Sequence, residues 1–180
     1  MVTYLVQGSL LLLPLFFSLI SHMIIIKLDW LSWARVPIYQ KGFGENKTWR
    51  GFLVVPFLSI PPMYLAVWLE KELGVSGINL GEQIPWAFGL LVGFAYVLFE
   101  LPNSFIKRRM GVLPGKTPKK GRLFFIFLDQ NDSALGVLIC YYFILKASFA
   151  ILLFTYVMGV ILHLLINFIL FKLGIRKNAL

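Results

Sequence analysis

The chain has 180 residues, of which 59% are hydrophobic and only 14% are charged. Soluble domains are roughly half apolar and about a quarter charged, so this composition excludes an ordinary soluble enzyme. The length also leaves no room for a separate soluble domain beside a membrane-embedded one. The net charge of +9 at pH 7 is confined to a few loops between long apolar runs.

These apolar runs predict an all-α integral membrane protein with five transmembrane helices in a single domain, residues 1–180. Each run has about 20 residues or more, enough to cross a hydrocarbon core of roughly 30 Å. A backbone in lipid must satisfy its own hydrogen bonds, which favours helices over open strands. We expect Pro14 to bend the first helix and Pro102 the third. The predicted spans are residues 3–26, 51–69, 84–106, 123–145 and 147–171.

The basic residues predict the orientation of the protein in the cell membrane. Loops 27–50 and 107–122 and the C-terminal tail carry 15 of the 17 Lys and Arg residues, and the opposite side has only Lys71 and Lys146. By the positive-inside rule, the two loops and the C-terminus are cytoplasmic and the N-terminus is outside. We therefore predict a multi-pass protein with a polar cavity and active site facing the cytoplasm.

The strongest chemical signal is Asp129-Gln130-Asn131-Asp132, inside the fourth predicted span. Asp129 lies seven residues after Arg122, roughly 10 Å into the membrane. A carboxylate there is costly unless it is paired or hydrated, and so indicates function. Spacing of three places both Asp residues on one helix face, and carboxylates beside a basic loop suit Mg²⁺. We predict that Asp129 and Asp132 bind Mg²⁺; the alternative is a pair neutralised by Lys or Arg without metal.

A second polar group, Glu100-Leu101-Pro102-Asn103-Ser104, lies near the end of the third predicted span. Polar residues beside a proline at this depth are tolerated where they line a cavity or meet protein partners. Glu100 is a further candidate metal ligand, with an ion pair to an arginine as the alternative. Asn103 and Ser104 are candidate contacts to a nucleotide.

Basic residues near two helix ends form the predicted phosphate-binding sites. The segment 46–51 closes the first basic loop where the second helix begins, and cationic groups with backbone N–H donors at a helix start suit phosphate. The alternative for basic loop residues in general is a role in topology or in binding anionic lipid. The candidate phosphate contacts are Asn46, Lys47, Thr48, Arg50, Lys107, Arg108, Arg109 and Lys116. We expect Lys107 and Arg108 to act with the two aspartates in catalysis.

Other features of the sequence carry less chemistry. The segment 111–117 imitates a Walker A loop, but it has three residues between its glycines instead of four and follows no strand. His22, His163 and Asn167 lie in apolar runs, and we predict that they are packing groups. Cys140 is predicted to be a small buried hydrophobe.

Three motifs together resemble those of the CDP-archaeol synthase family: NKTWRG (46–51), LPNSFIKRRMG (101–111) and FLDQNDSALG (127–136). Members of this family are archaeal CTP-dependent cytidylyltransferases of ether-lipid synthesis, distantly similar to CDP-diacylglycerol synthase. The resemblance implies transfer of a cytidylyl group from CTP to 2,3-bis-O-(geranylgeranyl)-sn-glycerol 1-phosphate, with release of pyrophosphate. It also implies Mg²⁺ as cofactor and, by similarity to the bacterial enzymes, K⁺ as a second cation.

Two other classes of function are alternatives to a cytidylyltransferase. A transporter or lipid scramblase would use intramembrane acids and broken helices, but the odd helix count and the lack of an inverted repeat disfavour it. A non-catalytic scaffold that binds anionic lipid would leave Asp129 and Asp132 unexplained. The predicted partners are CTP, a prenylated glycerol phosphate and the bilayer, with no nucleic acid.

Overall fold

The structure, a computed structural model, describes residues 2–116, 118 and 121–175. Four of the basic residues assigned above to the cytoplasmic side, Lys119, Lys120, Arg176 and Lys177, lie outside this part. Within it the chain forms helices and no β-strand, which confirms the predicted all-α class. The helices are α1 (Val2–Lys27), α2 (Gln40–Phe43), α3 (Trp49–Leu58), α4 (Ile60–Glu72), α5 (Pro85–Arg109), α6 (Arg122–Leu145) and α7 (Phe149–Lys172).

Four of the described helical segments are long and apolar enough to cross a membrane: α1, α3 with α4, α5, and α7. α6 is bent by 43° between its two parts, residues 122–129 and 131–145, and forms a fifth span if the two are counted together. The predicted number of five spans therefore agrees with the count in which the two parts of α6 form one span. α1 and α5 continue through Pro14 and Pro102 as unbroken helices.

The predicted second span consists of two helices, because the α-helix is interrupted at Ser59. Pro61 and Pro62 follow this position, and neither can donate a backbone hydrogen bond. The Ser59 hydroxyl donates to the carbonyl oxygen of Val55 at 2.9 Å. The same carbonyl also accepts from the Ser59 backbone N–H at 3.1 Å, and the Met63 N–H donates to the Ser59 carbonyl at 3.2 Å, so α4 continues directly from α3.

The basic loops meet at one end of the bundle. Lys27 Nζ donates to the carbonyl oxygen of Gly174 at 2.8 Å, so α1 and α7 end side by side. Gly44 in the first loop lies against Arg108 and Pro114 of the third. At the other end, Gln7 Nε2 donates to the Ser76 carbonyl at 2.7 Å, in the α4–α5 connection. These contacts place the first and third loops at one end of the bundle and the α4–α5 connection at the other.

α5 is the central helix, packed against α1, α3, α4 and α6. Gly89 and Gly93 allow it to approach the interruption between α3 and α4 closely. A Cβ on Gly93 would lie 2.9 Å from Pro56 N and 3.0 Å from Ser59 Oγ, closer than van der Waals contact permits. This approach holds in place the helix that carries Glu100, Asn103 and Lys107.

We predict that Gly93→Ala lowers the midpoint of thermal unfolding in detergent. The added methyl group meets backbone atoms that cannot move freely, and overpacking of this kind costs about 1–3 kcal/mol. Gly159→Ala is the matched control, because its Cβ would meet the flexible Leu12 side chain at 3.2 Å. Equal midpoints for the two variants would contradict the close approach of α5.

Candidate active site

Two carboxylates from α6 converge on one amide from α5. Asn103 Nδ2 donates to Asp129 Oδ1 at 2.7 Å and to Asp132 Oδ2 at 2.9 Å. The spacing of three residues turns both Asp side chains toward α5, as helix geometry predicts. Asn103 is 7% exposed, so the acidic pair is held against the interior of the bundle.

Lys107 neutralises one of these carboxylates. It lies one turn after Asn103 on α5, and its Nζ is 2.5 Å from both Oδ1 and Oδ2 of Asp129. The lysine is 7% exposed, and so its charge is compensated mainly by this aspartate. The predicted phosphate ligand Lys107 is therefore paired with a predicted metal ligand.

A second ion pair joins the first loop to α5. Lys47 Nζ is hydrogen-bonded to Glu100 Oε2, so the partner of Glu100 is a lysine and not the arginine considered above. Burial favours a lower pKa for Lys47, but Glu100, Asp132 and Asp129 outweigh it and raise the pKa above its ordinary value. Lys47 therefore stays protonated at neutral pH.

Ser133 links the two acidic groups. Its Oγ lies 3.1 Å from Glu100 Oε1 and 3.1 Å from Asp132 Oδ1, and its backbone N–H donates to Asp132 Oδ1 at 2.7 Å. One hydroxyl proton can serve only one of these carboxylates at a time. The resulting cluster has three carboxylates, from Glu100, Asp129 and Asp132, and two ammonium groups, from Lys47 and Lys107. It carries an excess of one negative charge.

The amide of Asn103 indicates what this excess charge could bind. Its Oδ1 is buried and has no hydrogen-bond partner among the described residues. The two ends of an amide exchange by rotation about χ2, and that rotation would place Oδ1 beside the oxygens of Asp129 and Asp132. Three hard oxygen ligands at one point suit a cation such as Mg²⁺. In the described chain no group of three or more His, Cys, Asp or Glu residues is placed to hold a metal, so further ligands would come from water or substrate.

A cavity of about 300 Å³ opens beside this cluster. Residues from α1, α3, α5, α6, α7 and the first loop line it, so it lies between the helices of the bundle. Its polar side is formed by Asn46, Lys47, Thr48, Glu100 and Asp129. The wall from α1 and α7 is mainly apolar but includes His22, His163 and Asn167. One cavity therefore offers both charged and apolar surroundings.

The other predicted phosphate and nucleotide contacts differ from one another in burial and in hydrogen bonding. Arg108 has two guanidinium nitrogens, Nε and Nη1, that are buried without a hydrogen-bond partner in the described part of the chain. Arg109 is exposed, with its guanidinium carbon 4.8 Å from the centre of the Phe105 ring. Lys116 is exposed and Ser104 is half-buried. Only Arg108 among these combines burial with unused donors.

Arg50 is tied to the first loop. The residue is 6% exposed, and Nη1 donates to Asp29 Oδ1 at 3.0 Å and to the Trp30 carbonyl at 3.2 Å. Asp29 and Leu31 have positive φ angles of 50° and 55°, so this loop follows an uncommon backbone path. Arg50 braces that path and is not among the residues that line the cavity.

Two residues to which the sequence assigned no role support the bend in α6. Asn131 Nδ2 donates to the Phe127 carbonyl at 2.6 Å, and Tyr156 Oη on α7 donates to Asn131 Oδ1 at 2.6 Å. Asn131 is 4% exposed and lies between the two aspartates. A tyrosine in an apolar span gives no sequence signal of such a role, although the polar Asn131 between two acids gives a weak one.

We predict that Tyr156→Phe destabilises the protein, because it leaves the buried Asn131 oxygen without its donor. The expected cost is about 1–3 kcal/mol, measured as a lower midpoint of thermal unfolding. Tyr142→Phe is the control, since that side chain is 54% exposed. A Tyr156→Phe variant as stable as the control would show that the bond does not support α6.

Comparisons with known proteins confirm the family resemblance. The model of the CarS-like CDP-archaeol synthase family matches residues 2–179. The CDP-archaeol synthase of Staphylothermus marinus is 30% identical over 140 residues, covering 76% of this chain and 70% of the relative. That of Thermofilum pendens is 30% identical over 138 residues, covering 76% of this chain and 58% of the relative. No solved structure matches the chain. The chain belongs to the CDP-archaeol synthase family.

Proposed function

We propose that this protein catalyses the reaction of CTP with 2,3-bis-O-(geranylgeranyl)-sn-glycerol 1-phosphate to give CDP-2,3-bis-O-(geranylgeranyl)-sn-glycerol and pyrophosphate. Family membership supports a CTP-using cytidylyltransferase. The observation that carries the proposal is the convergence of Asp129 and Asp132 on Asn103 beside a cavity with polar and apolar walls. Such a cavity suits a nucleotide and a lipid phosphate together.

The orientation follows from the distribution of charge. We place the end of the bundle that carries the first and third loops in the cytoplasm, because basic loops remain there. CTP would then enter the cavity from the cytoplasm, and the N-terminus would be outside the cell membrane. The prenyl chains would leave between helices into the bilayer, along the apolar wall of α1 and α7.

The acidic cluster fits Mg²⁺, with Asp129 and Asp132 as ligands and Asn103 Oδ1 as a third after amide rotation. Glu100 is held by Lys47 and is a further ligand only if that pair opens. A bound Mg²⁺ supplies neutralisation of charge on the phosphate oxygens. K⁺ remains part of the proposal as a second cation, without assigned ligands.

The chain's own residues would align the two substrates and neutralise their charge. A lipid phosphate oxygen attacks the α-phosphorus of CTP and forms a new P–O bond. The bond between the α-phosphorus and the oxygen that bridges it to the β-phosphorus breaks, and pyrophosphate leaves with that electron pair. The attacking oxygen is already anionic, so alignment and charge neutralisation matter more than a general base. Lys47 and Lys107 would turn from their carboxylates toward phosphate, and Arg108 would offer its free Nε and Nη1 donors.

Transfer of label from CTP into extractable lipid tests this function. Purified protein in detergent receives Mg²⁺ and the prenylated glycerol phosphate, with an EDTA control and the other nucleotides in parallel. We expect magnesium-dependent labelling with CTP. Absence of labelling from well-folded protein across several lipid phosphates would overturn the proposal and favour transport.

We predict that Asp129→Asn and Asp132→Asn each lower kcat by at least a hundredfold, because each removes a metal-binding charge. Turnover is measured with the same labelling assay after size-exclusion chromatography confirms folding. Glu72→Gln is the control, since this exposed carboxylate lies at the opposite end of the bundle. Near-normal turnover in both Asp variants would exclude the assigned metal site.

A separate prediction concerns Arg108, whose buried donors we assign to the triphosphate. Arg108→Ala should raise KM for CTP about tenfold or more, the value of one or two hydrogen bonds to a charged group. Arg35→Ala removes an equal charge from an exposed residue that pairs with Asp29, and we expect it to leave KM unchanged. Equal KM values for both variants would remove Arg108 from the site.

A further inference from the structure

Asn167 is a polar residue that the catalytic cluster does not use. It lies on α7, is 5% exposed and contributes to the wall of the cavity. Its Nδ2 is buried and has no hydrogen-bond partner within residues 2–116, 118 and 121–175. A buried amide group without a partner is unfavourable, and so it calls for an explanation.

The surroundings of Asn167 differ from those of the acidic cluster. His163 lies one turn before it on α7, and His22 of α1 lines the same cavity. The other lining residues of these two helices are Phe16, Leu19, Ile20, Met23, Ile166 and Leu170. His22, His163 and Asn167 are the polar side chains of an otherwise apolar wall, and the prediction that they pack between helices stays a prediction.

The wall formed by α1 and α7 lies at a depth in the bundle where a ligand bound at the acidic cluster could also contact it. Asn167 lies five residues before the end of α7 at Lys172, roughly 7 Å along the helix. Asp129 lies seven residues from the start of α6 at Arg122, roughly 10 Å along it. The same end of the bundle contains both helix ends, so the two side chains lie at similar depth around one cavity.

The residues that line this wall favour contact with only one part of the two substrates. Aliphatic and aromatic side chains disfavour a triphosphate, which needs cations and abundant donors. A neutral amide among apolar groups suits an uncharged oxygen that has hydrocarbon beyond it. In a lipid phosphate, the glycerol oxygens meet this description, because they lie between the phosphate and the chains.

We propose that Asn167, with His163 one turn before it on α7, forms the subsite for the glycerol backbone of the lipid substrate. The Asn167 amide presents its N–H group to a glycerol oxygen after rotation into the cavity, while the phosphate lies at the acidic cluster. This inference rests on the proposed function and adds to it the residues that recognise the lipid.

The test is Asn167→Leu, which keeps the number and branching of the side-chain heavy atoms and removes both hydrogen-bonding groups. Steady-state rates are measured with CTP and the lipid phosphate varied separately. We expect KM for the lipid to rise about tenfold, the value of one neutral hydrogen bond, with KM for CTP unchanged. Thr155→Val is the matched control: its Oγ1 is also buried on α7 without a partner among the described residues, but Thr155 does not line this cavity.

The outcomes separate the subsite from the function itself. Inactive wild-type protein would overturn the proposed function. Active wild-type protein with an unchanged lipid KM in Asn167→Leu would overturn the subsite alone, as would a rise in KM for CTP instead. An equal rise of the lipid KM in Thr155→Val would show a packing effect and would also overturn the subsite. If Asn167→Leu does not fold, Asn167→Ala replaces it with the same criteria.

Discussion

The structure depends on holding three carboxylates inside a membrane-spanning bundle. Glu100, Asp129 and Asp132 would each be strongly unfavourable there without partners. Asn103, Lys107 and Lys47 provide those partners from α5 and the first loop. The close approach of α5 to the α3–α4 interruption and the bend in α6 both serve this arrangement, because they fix the two helices from which the polar groups extend.

The two lysines do not fully neutralise the three carboxylates, and the remaining charge links the stability of the site to its proposed function. Two lysines leave one negative charge in the cluster, while the Asn103 oxygen and two Arg108 nitrogens remain without hydrogen bonds in the described chain. A cation and a phosphate would satisfy these groups together. The unpaired Asn103 oxygen and Arg108 nitrogens thus match the cation and the phosphate that the proposed reaction brings.

The helical class and the acidic pair were predictable from the sequence, because hydropathy and helix periodicity act over short distances. The interruption at Ser59 could have been read from Pro61 and Pro62. Pairing across helices was not predictable in the same way: Lys47 meets Glu100, 53 residues away, and Tyr156 meets Asn131. Long side chains reach partners that only packing determines. Asn167 was assigned to packing because an apolar run does not reveal which face borders a cavity.

The proposed function depends on a metal ion bound by Asp129 and Asp132, and anomalous diffraction at the manganese edge would locate that ion. Crystals of the protein grown with Mn²⁺ and a non-hydrolysable CTP analogue would locate the ion without reference to activity. We predict an anomalous peak within coordination distance of Asp129 and Asp132, with Lys107 Nζ withdrawn from Asp129 toward phosphate. A peak elsewhere, or an intact Lys107–Asp129 pair with no ion between the aspartates while nucleotide is bound, would contradict it.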